Sequence, residues 1–178
     1  MAITLELATQ LDIDELDKLY TTTIDYLNQY TNHPGWQKDV YPVRETAVTG
    51  INEKNLYVVR QENQIVGSII LNHKTEPAYQ QANWSIDADD KEIMVVHTFV
   101  VHPNFSKQRI GEEILLAACE LALEKQMKAI RLDVFRGNAP AIRLYEKCGF
   151  SYVDTVDLGL SDYGLDYFKL YEKNFLSL

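Results

Sequence analysis

VHTFVVHPNFSKQRIGEEILLAACELALEKQ, Val96 to Gln126, decides the reading of this 178-residue chain. An apolar run ends in Val101-His102-Pro103, a polar and basic turn follows, and from Ile110-Gly111 the apolar residues recur at helical spacing. Strand, turn and helix start, in that order, suit a phosphate. The first N–H groups of a helix have no intrahelical acceptor and lie at the positive end of its dipole. A phosphorylated cofactor is expected there. Further on, NAPAIRLYEKCGF, Asn138 to Phe150, reads as a second short helix with Asn138 as cap and Gly149 as stop, burying Ala141, Leu144, Tyr145 and Cys148.

Working outward, Ile3 to Leu7 alternates as a strand does, and Thr9 to Asp12 has the form of a helix cap. Ile13, Leu16, Tyr20, Ile24 and Leu27 then keep helical spacing to near Tyr30, where Thr31 to Gly35 make a turn cluster. A second helix is expected over Arg44 to Glu53, and a hairpin over Leu56 to Arg60 and Ile65 to Asn72. Residues His73 to Lys91 keep no period, contain Pro77 and the acids Asp87, Asp89 and Asp90, and form a long connection of the kind that carries function. The strand Glu92 to Val101 leads into the helix, whose expected buried stripe is Ile110, Ile114, Ala117, Ala118 and Leu121. A strand at Ile130, Leu132 and Val134 and two closing strands, Tyr152 to Val156 and Tyr167 to Glu172, complete the order. This is a mixed α+β chain, one domain over 1–178, with helices flanking a twisted, mostly antiparallel sheet that holds one parallel pair. The uninterrupted middle strands exclude a doubly wound fold, and a lone Gly111 is far from a dinucleotide fingerprint.

With 46% apolar and 24% charged residues, the composition is that of a globular protein. No apolar run reaches the roughly 18 residues that span a bilayer, and the first residues lack the layout of a signal peptide, so a cytoplasmic protein is expected. The formal charge of −9 opposes nucleic acid and is compatible with a cationic amine or with plain solubility. Cys119 and Cys148 fall on apolar helical positions and read as free, buried thiols. His33, His73 and His102 lack metal-ligand spacing, and no metal is expected.

Together, Val-His-Pro at the strand's end, the basic turn, Ile110-Gly111, and the later N-x-x-A-x-x-L-Y-E-K-x-G-F resemble the acetyl-coenzyme A signature of the GNAT family of N-acetyltransferases. The family's turn usually reads Q/R-x-x-G-x-G/A. Here Ser106 and Arg109 stand where the leading residue and the first glycine belong, and Gly111 is kept. The resemblance implies a GNAT-like acyl-CoA N-acyltransferase fold and acetyl-CoA as acetyl donor. It implies coenzyme contacts at Phe99, Val100, Val101, Ser106, Lys107, Gln108, Arg109, Ile110, Gly111, Glu112, Asn138 and Tyr145. Homodimers are common among the proteins it resembles.

Acyl transfer to an amine needs a neutral nucleophile, a polarised carbonyl and a proton for the departing thiolate. Backbone N–H groups could supply the second as fixed dipoles, and the resemblance places them at Phe99 to Val101. The resemblance makes Tyr145 the general acid; spacing alone equally allows a core residue. His97 is the candidate base, in competition with Glu92 and a water relay, or is a packed histidine. Trp36, Tyr41, Tyr79 and Trp84 lie in segments that the family uses for its acceptor groove, where aromatics beside acids would suit a cationic amine; ordinary packing is the other reading. The expectation is direct transfer of acetyl from acetyl-CoA to a primary amine of a small molecule or protein. The alternative is a non-catalytic acyl-CoA-binding or sensing module.

Overall fold

The structure, a computed structural model, describes residues 3–176. Its strands are β1 (Glu6–Leu7), β2 (Leu56–Gln61), β3 (Gln64–Asn72), β4 (Ile93–Val101), β5 (Ala129–Phe135), β6 (Ser151–Val156) and β7 (Phe168–Asn174). The helices are α1 (Ile13–Gln29), α2 (Arg44–Asn52), α3 (Ile110–Glu124) and α4 (Ala139–Lys147). The strands hydrogen-bond in the order β1-β2-β3-β4-β5-β7-β6, with β4 and β5 parallel and the other registered pairs antiparallel. The mixed α+β class and the mostly antiparallel sheet flanked by helices are as expected. The chain divides into two compact units: one holds residues through Asn32, Trp36–Leu71 and His97–Ala118, the other His33–Gly35, Asn72–Val96 and the residues from Cys119 onward.

In the first unit, the core gathers Ile13, Leu16, Leu19 and Tyr20 of α1, Ala47 and Ile51 of α2, and Leu56, Val58, Ile65, Ile70 and Val100 of the strands. Thr9 and Asp12 cap the entry to α1 reciprocally: the Leu11 N–H donates to Thr9 Oγ1 (3.3 Å) and the Thr9 N–H to Asp12 Oδ2 (2.8 Å). Asp12 also accepts from Arg60 Nη2 at 2.6 Å. Burial works to raise the Asp12 pKa. The Thr9 N–H and the Arg60 guanidinium outweigh it and hold the carboxyl below its ordinary range. Gly67 is where α3 comes close: a Cβ there would lie 2.5 Å from Ile114 Cδ1 and 3.1 Å from the Val100 carbonyl oxygen.

The second unit packs Tyr79, Ile93, Val95, Ala129 and Leu170 with Trp84, Ile86 and Val153. Arg131 and Glu172 face each other across β5 and β7, both buried, with Nε to Oε2 at 2.7 Å. Arg131 also donates to the Ile86 carbonyl (3.0 Å) and lies 4.2 Å over the Trp84 ring. Glu172 accepts from the Ser85 N–H (3.0 Å) and the Ser85 hydroxyl. The ion pair therefore fastens the connection after β3. That segment, aperiodic in sequence, contains two 3-10 turns, Pro77–Gln81 and Asp90–Glu92.

Three local expectations need correction. The strand expected from Ile3 pairs only at Glu6 and Leu7, because β1 is an edge strand with β2 as its one neighbour and neither residue is buried. On α3 the buried positions are Ile110, Ile114, Leu115, Ala118, Cys119 and Ala122, whereas Ala117 and Leu121 are half-buried. Apolar residues surround that helix, so period alone did not fix its rotation. On α4 Tyr145 and Cys148 are buried, but Ala141 and Leu144 are half-buried. Cys119 and Cys148 are buried and outside any disulfide, as expected, and no described helix is long and apolar enough to cross a membrane.

Two stability outcomes follow from these polar anchors. Asp12→Ala should cost about 1–3 kcal/mol, the range for hydrogen bonds to a charged group. Because the folded-state pKa of Asp12 is lowered, its contribution is complete above the ordinary carboxylate range and is lost as pH falls through the folded value. Denaturant titrations of both proteins should therefore converge in acid. Glu172→Gln strands a buried guanidinium and should cost about 3–5 kcal/mol, read as a fall in the denaturation midpoint at unchanged slope.

Candidate active site

Within the first unit, the end of β4 and the turn after it hold the expected coenzyme residues. Thr98 and Val100 are buried, and His97, Phe99 and Val101 are half-buried. Thr98 has a φ of 43°, a left-handed conformation rare for a β-branched residue. The chain leaves β4 through a His102 N–H to Val66 carbonyl bond (2.8 Å) and enters a 3-10 turn, Pro103–Phe105. The Asn104 N–H donates to His102 Nδ1 at 3.2 Å. Burial, aided by the charge of Lys18, lowers the His102 pKa and so favours the neutral imidazole that can accept this bond. Ser106 Oγ donates to the Pro103 carbonyl (2.9 Å), so its hydroxyl closes the turn; Lys107 and Gln108 are exposed.

Arg109 has a φ of 61°. The backbone at this position takes the left-handed conformation that glycine adopts without steric cost. Arginine thus stands in a conformation that glycine would adopt more easily. Its guanidinium is exposed and donates to both oxygens of Glu112, at 3.2 and 3.0 Å. Glu112 and Glu113 lie in the first turn of α3, where carboxylates suit the helix dipole but oppose a bound phosphate. The Arg109 charge covers Glu112. Ile110 is buried and anchors the helix start, and the Glu113 N–H bonds the Arg109 carbonyl at 3.1 Å.

Trp36 and Tyr41 belong to the same unit, ring centroids 6.1 Å apart and edge to face. The Tyr41 hydroxyl bonds the Thr98 hydroxyl on β4.

In the second unit, Asn138 caps α4, its Oδ1 accepting from the Ala141 N–H at 3.4 Å. Tyr145 is buried on α4, with ring contacts to Phe150 and Tyr171. The Tyr79 hydroxyl donates to Asp133 Oδ2 at 2.6 Å, and its ring packs against Trp84 at 5.3 Å. Burial, reinforced by Asp133 and then by Glu76 and Tyr145, pushes the Tyr79 phenol well above its ordinary range. Trp84 donates its Nε1–H to the Tyr79 carbonyl at 2.8 Å. These aromatics border a cavity of about 310 Å³ that Thr75, Asp87, Asp90 and Arg131 also line.

His97, the β4 terminus, the turn, Trp36 and Tyr41 thus fall in one unit, and Asn138, Tyr145, Tyr79 and Trp84 in the other. The sequence reading passed over Thr98 and Asp133. A threonine inside an apolar strand was the available signal for the first; the second alternates normally along β5 and offered none. Among the described residues no group of three or more His, Cys, Asp or Glu is placed to hold a metal ion.

The chain belongs to the acetyltransferase (GNAT) family, whose sequence profile matches residues 16–150. Family members are acyltransferases, broadly N-acetyltransferases. No curated protein matches the chain. Among solved structures, a GNAT-family acetyltransferase from Streptococcus agalactiae is similar in fold, with a TM-score of 0.82 at 18% identity, over 97% of this chain and 95% of that one. The ribosomal-protein-S18-alanine N-acetyltransferase of Escherichia coli aligns with a TM-score of 0.68 at 14% identity, over 97% and 93%. A PaiA N-acetyltransferase from Thermoplasma acidophilum, solved with coenzyme A, gives 0.67 at 17%, over 98% and 100%.

Arg109→Gly separates the two properties of this residue. Glycine relieves the left-handed backbone, so the melting midpoint should stay at or above wild type. It also uncovers Glu112, so acetyl-CoA affinity measured by calorimetry should fall at low salt, and the difference should shrink at high salt.

Proposed function

We propose that this protein is an N-acetyltransferase that binds acetyl-CoA and passes its acetyl group directly to a primary amine in a ternary complex. The observation that carries the reading is the turn from Ser106 to Arg109. It holds a left-handed residue where the family has glycine and delivers the chain into the start of α3. The coenzyme A bound to the Thermoplasma structure and the protein acceptor named for the Escherichia coli enzyme support the coenzyme and an amine acceptor.

In the proposed reaction the lone pair of a neutral amine attacks the thioester carbonyl carbon. Negative charge develops on the carbonyl oxygen, where N–H groups from the Phe99 to Val101 backbone stabilise it. The C–S bond breaks, the amide forms, and the coenzyme thiolate takes a proton from the Tyr145 phenol. A phenol with an ordinary pKa of about 10 is suited to protonating a thiolate whose conjugate acid lies near 8.5. The ammonium proton leaves to a base, for which His97 on β4 is the candidate. No thiol relay is invoked: burial pushes Cys119 up to about 11, and Cys148 is buried. The acceptor side is assigned to the aromatic segments around Trp36, Tyr41, Tyr79 and Trp84, with the acids near Trp84 favouring a cationic amine.

Acetyl-CoA should raise the melting midpoint by mass action, and a thiol-release assay over a panel of amines should free coenzyme A with at least one acceptor. Binding without release across the panel would leave a sensing module instead. Tyr145→Phe keeps the ring and should lower kcat by roughly ten- to a thousandfold at unchanged acetyl-CoA affinity and melting midpoint. A stability loss of about 1–3 kcal/mol with wild-type turnover would make Tyr145 a core residue only.

A further inference from the structure

Thr98 is a β-branched residue in left-handed backbone in the midst of β4, and it is buried. Such a conformation persists only where the surroundings over-determine it. Its hydroxyl has one such constraint, the bond to the Tyr41 phenol. Tyr41 is itself held. Its N–H donates to the Gln37 carbonyl at 3.0 Å, its ring meets the edge of Trp36, and the following residue, Pro42, is buried. Two buried hydroxyls lie in the same unit. Tyr20 on α1 and Ser68 on β3 are each 1% exposed. Ser68 and Tyr41 both lie close enough to act on the Tyr20 phenol, which burial keeps far above its ordinary range and therefore neutral. Tyr41 thus bonds Thr98 on β4 and also lies within electrostatic reach of the buried Tyr20 of α1.

We propose that Tyr41 is a positioning residue for acyl transfer: its phenol, bonded to the Thr98 hydroxyl, holds β4 in the left-handed turn that aims the following N–H groups at the acetyl carbonyl. A positive φ at Thr98 rotates the peptide plane leading to Phe99 away from the direction a regular strand would give it. The N–H groups assigned above to the carbonyl begin at that peptide. Holding Thr98 in place thus fixes where the polarising dipoles point before the coenzyme arrives. The same bond latches the loop carrying Trp36 and Tyr41 to the acyl strand, so the acceptor side and the acetyl group share one mechanical reference. The inference rests on the proposal that the β4 backbone polarises the thioester.

The test needs no acceptor. Infrared spectra of acetyl-CoA labelled with carbon-13 at the thioester carbonyl, bound to the full chain, read polarisation as a displacement of the band to lower frequency. Calorimetry with acetyl-CoA and with free coenzyme A reads the acetyl group's own share of affinity. Wild type should displace the band. Tyr41→Phe should displace it less and should lower the preference for acetyl-CoA over coenzyme A by roughly three- to tenfold, the range for one hydrogen bond, at unchanged coenzyme A affinity. Thr98→Ala should reproduce that loss and Thr98→Ser should stay at wild type, which keeps the test sound if one variant folds poorly. Adding Thr98→Gly to Tyr41→Phe should restore most of the displacement, because glycine adopts the left-handed backbone without an anchor. A full wild-type displacement in Tyr41→Phe and Thr98→Ala would overturn the inference alone. A double variant no better than Tyr41→Phe would overturn it in favour of direct contact by Tyr41. No displacement in wild type would instead overturn the polarising assignment on which it rests.

Discussion

The parallel pairing of β4 with β5, at Ile93 with Ala129 and Val95 with Arg131, is the constraint from which the rest follows. Parallel neighbours cannot be joined by a hairpin, so the chain must cross over, and here it does so through α3. The crossover has to begin where β4 ends. Only the segment His102 to Arg109 separates the last residue of β4 from the first of α3, and it serves as the turn at the helix's positive end. A strand terminus with a left-handed residue at Thr98 and the start of a helix are therefore neighbours along the chain. The proposed ligand, a thioester attached to a pyrophosphate, would have two needs, an acyl carbonyl and phosphates, and the proposal assigns them to the two ends of this one stretch.

Polar anchors of long sequence separation complete what the crossover begins. Arg131 is bonded to Glu172 and to the Ile86 carbonyl, and Tyr79 to Asp133. Each bond ties the connection after β3, or the strands beneath it, to a distant part of its unit. Such buried polar pairs contribute little net stability compared with apolar replacements, but removing one partner is costly. They select one arrangement of a segment that has no hydrophobic period to organise it. Tyr79 illustrates the effect: its hydroxyl is committed to Asp133 and its ring to Trp84, so it presents a fixed wall to the cavity it borders.

The elements with strong periodicity were legible from sequence: α1 with its Thr9–Asp12 cap, the β2–β3 hairpin, β4, β5, and α4 between Asn138 and Gly149. Each is specified by local chemistry, namely caps, turn residues and alternating burial. The rotation of α3 was not legible, because Leu115, Leu116, Leu121 and Leu123 present apolar surface on several faces and only tertiary contact chooses among them. The connection from His73 to Lys91 was visible as a long aperiodic segment, but its fastening depends on Arg131 and Glu172, which in sequence read as unremarkable alternating residues of two strands. Thr98 was visible only as a polar residue inside an apolar strand, which does not reveal its conformation. Its side chain fits a strand, and only its backbone angle and its bond to Tyr41 distinguish it.

Arg109 shows how a departure from a pattern can keep the physics the pattern encodes. What the turn requires is a left-handed backbone before the helix, and glycine is the least costly residue to provide it. Arginine at 61° provides it too, at a steric cost, and brings a cation that glycine lacks. That cation has a partner close by, since Glu112 in the first turn of α3 accepts from it through both oxygens. Carboxylates at a helix start stabilise the helix by opposing its dipole, but the same carboxylates repel an anionic ligand that would use the N–H groups beside them. Pairing Glu112 with Arg109 lets the helix keep its favourable charge, and under the proposed function the turn would present a neutral pair to the coenzyme. Substituting glycine by arginine and placing an acid three residues later are thus two halves of one electrostatic arrangement.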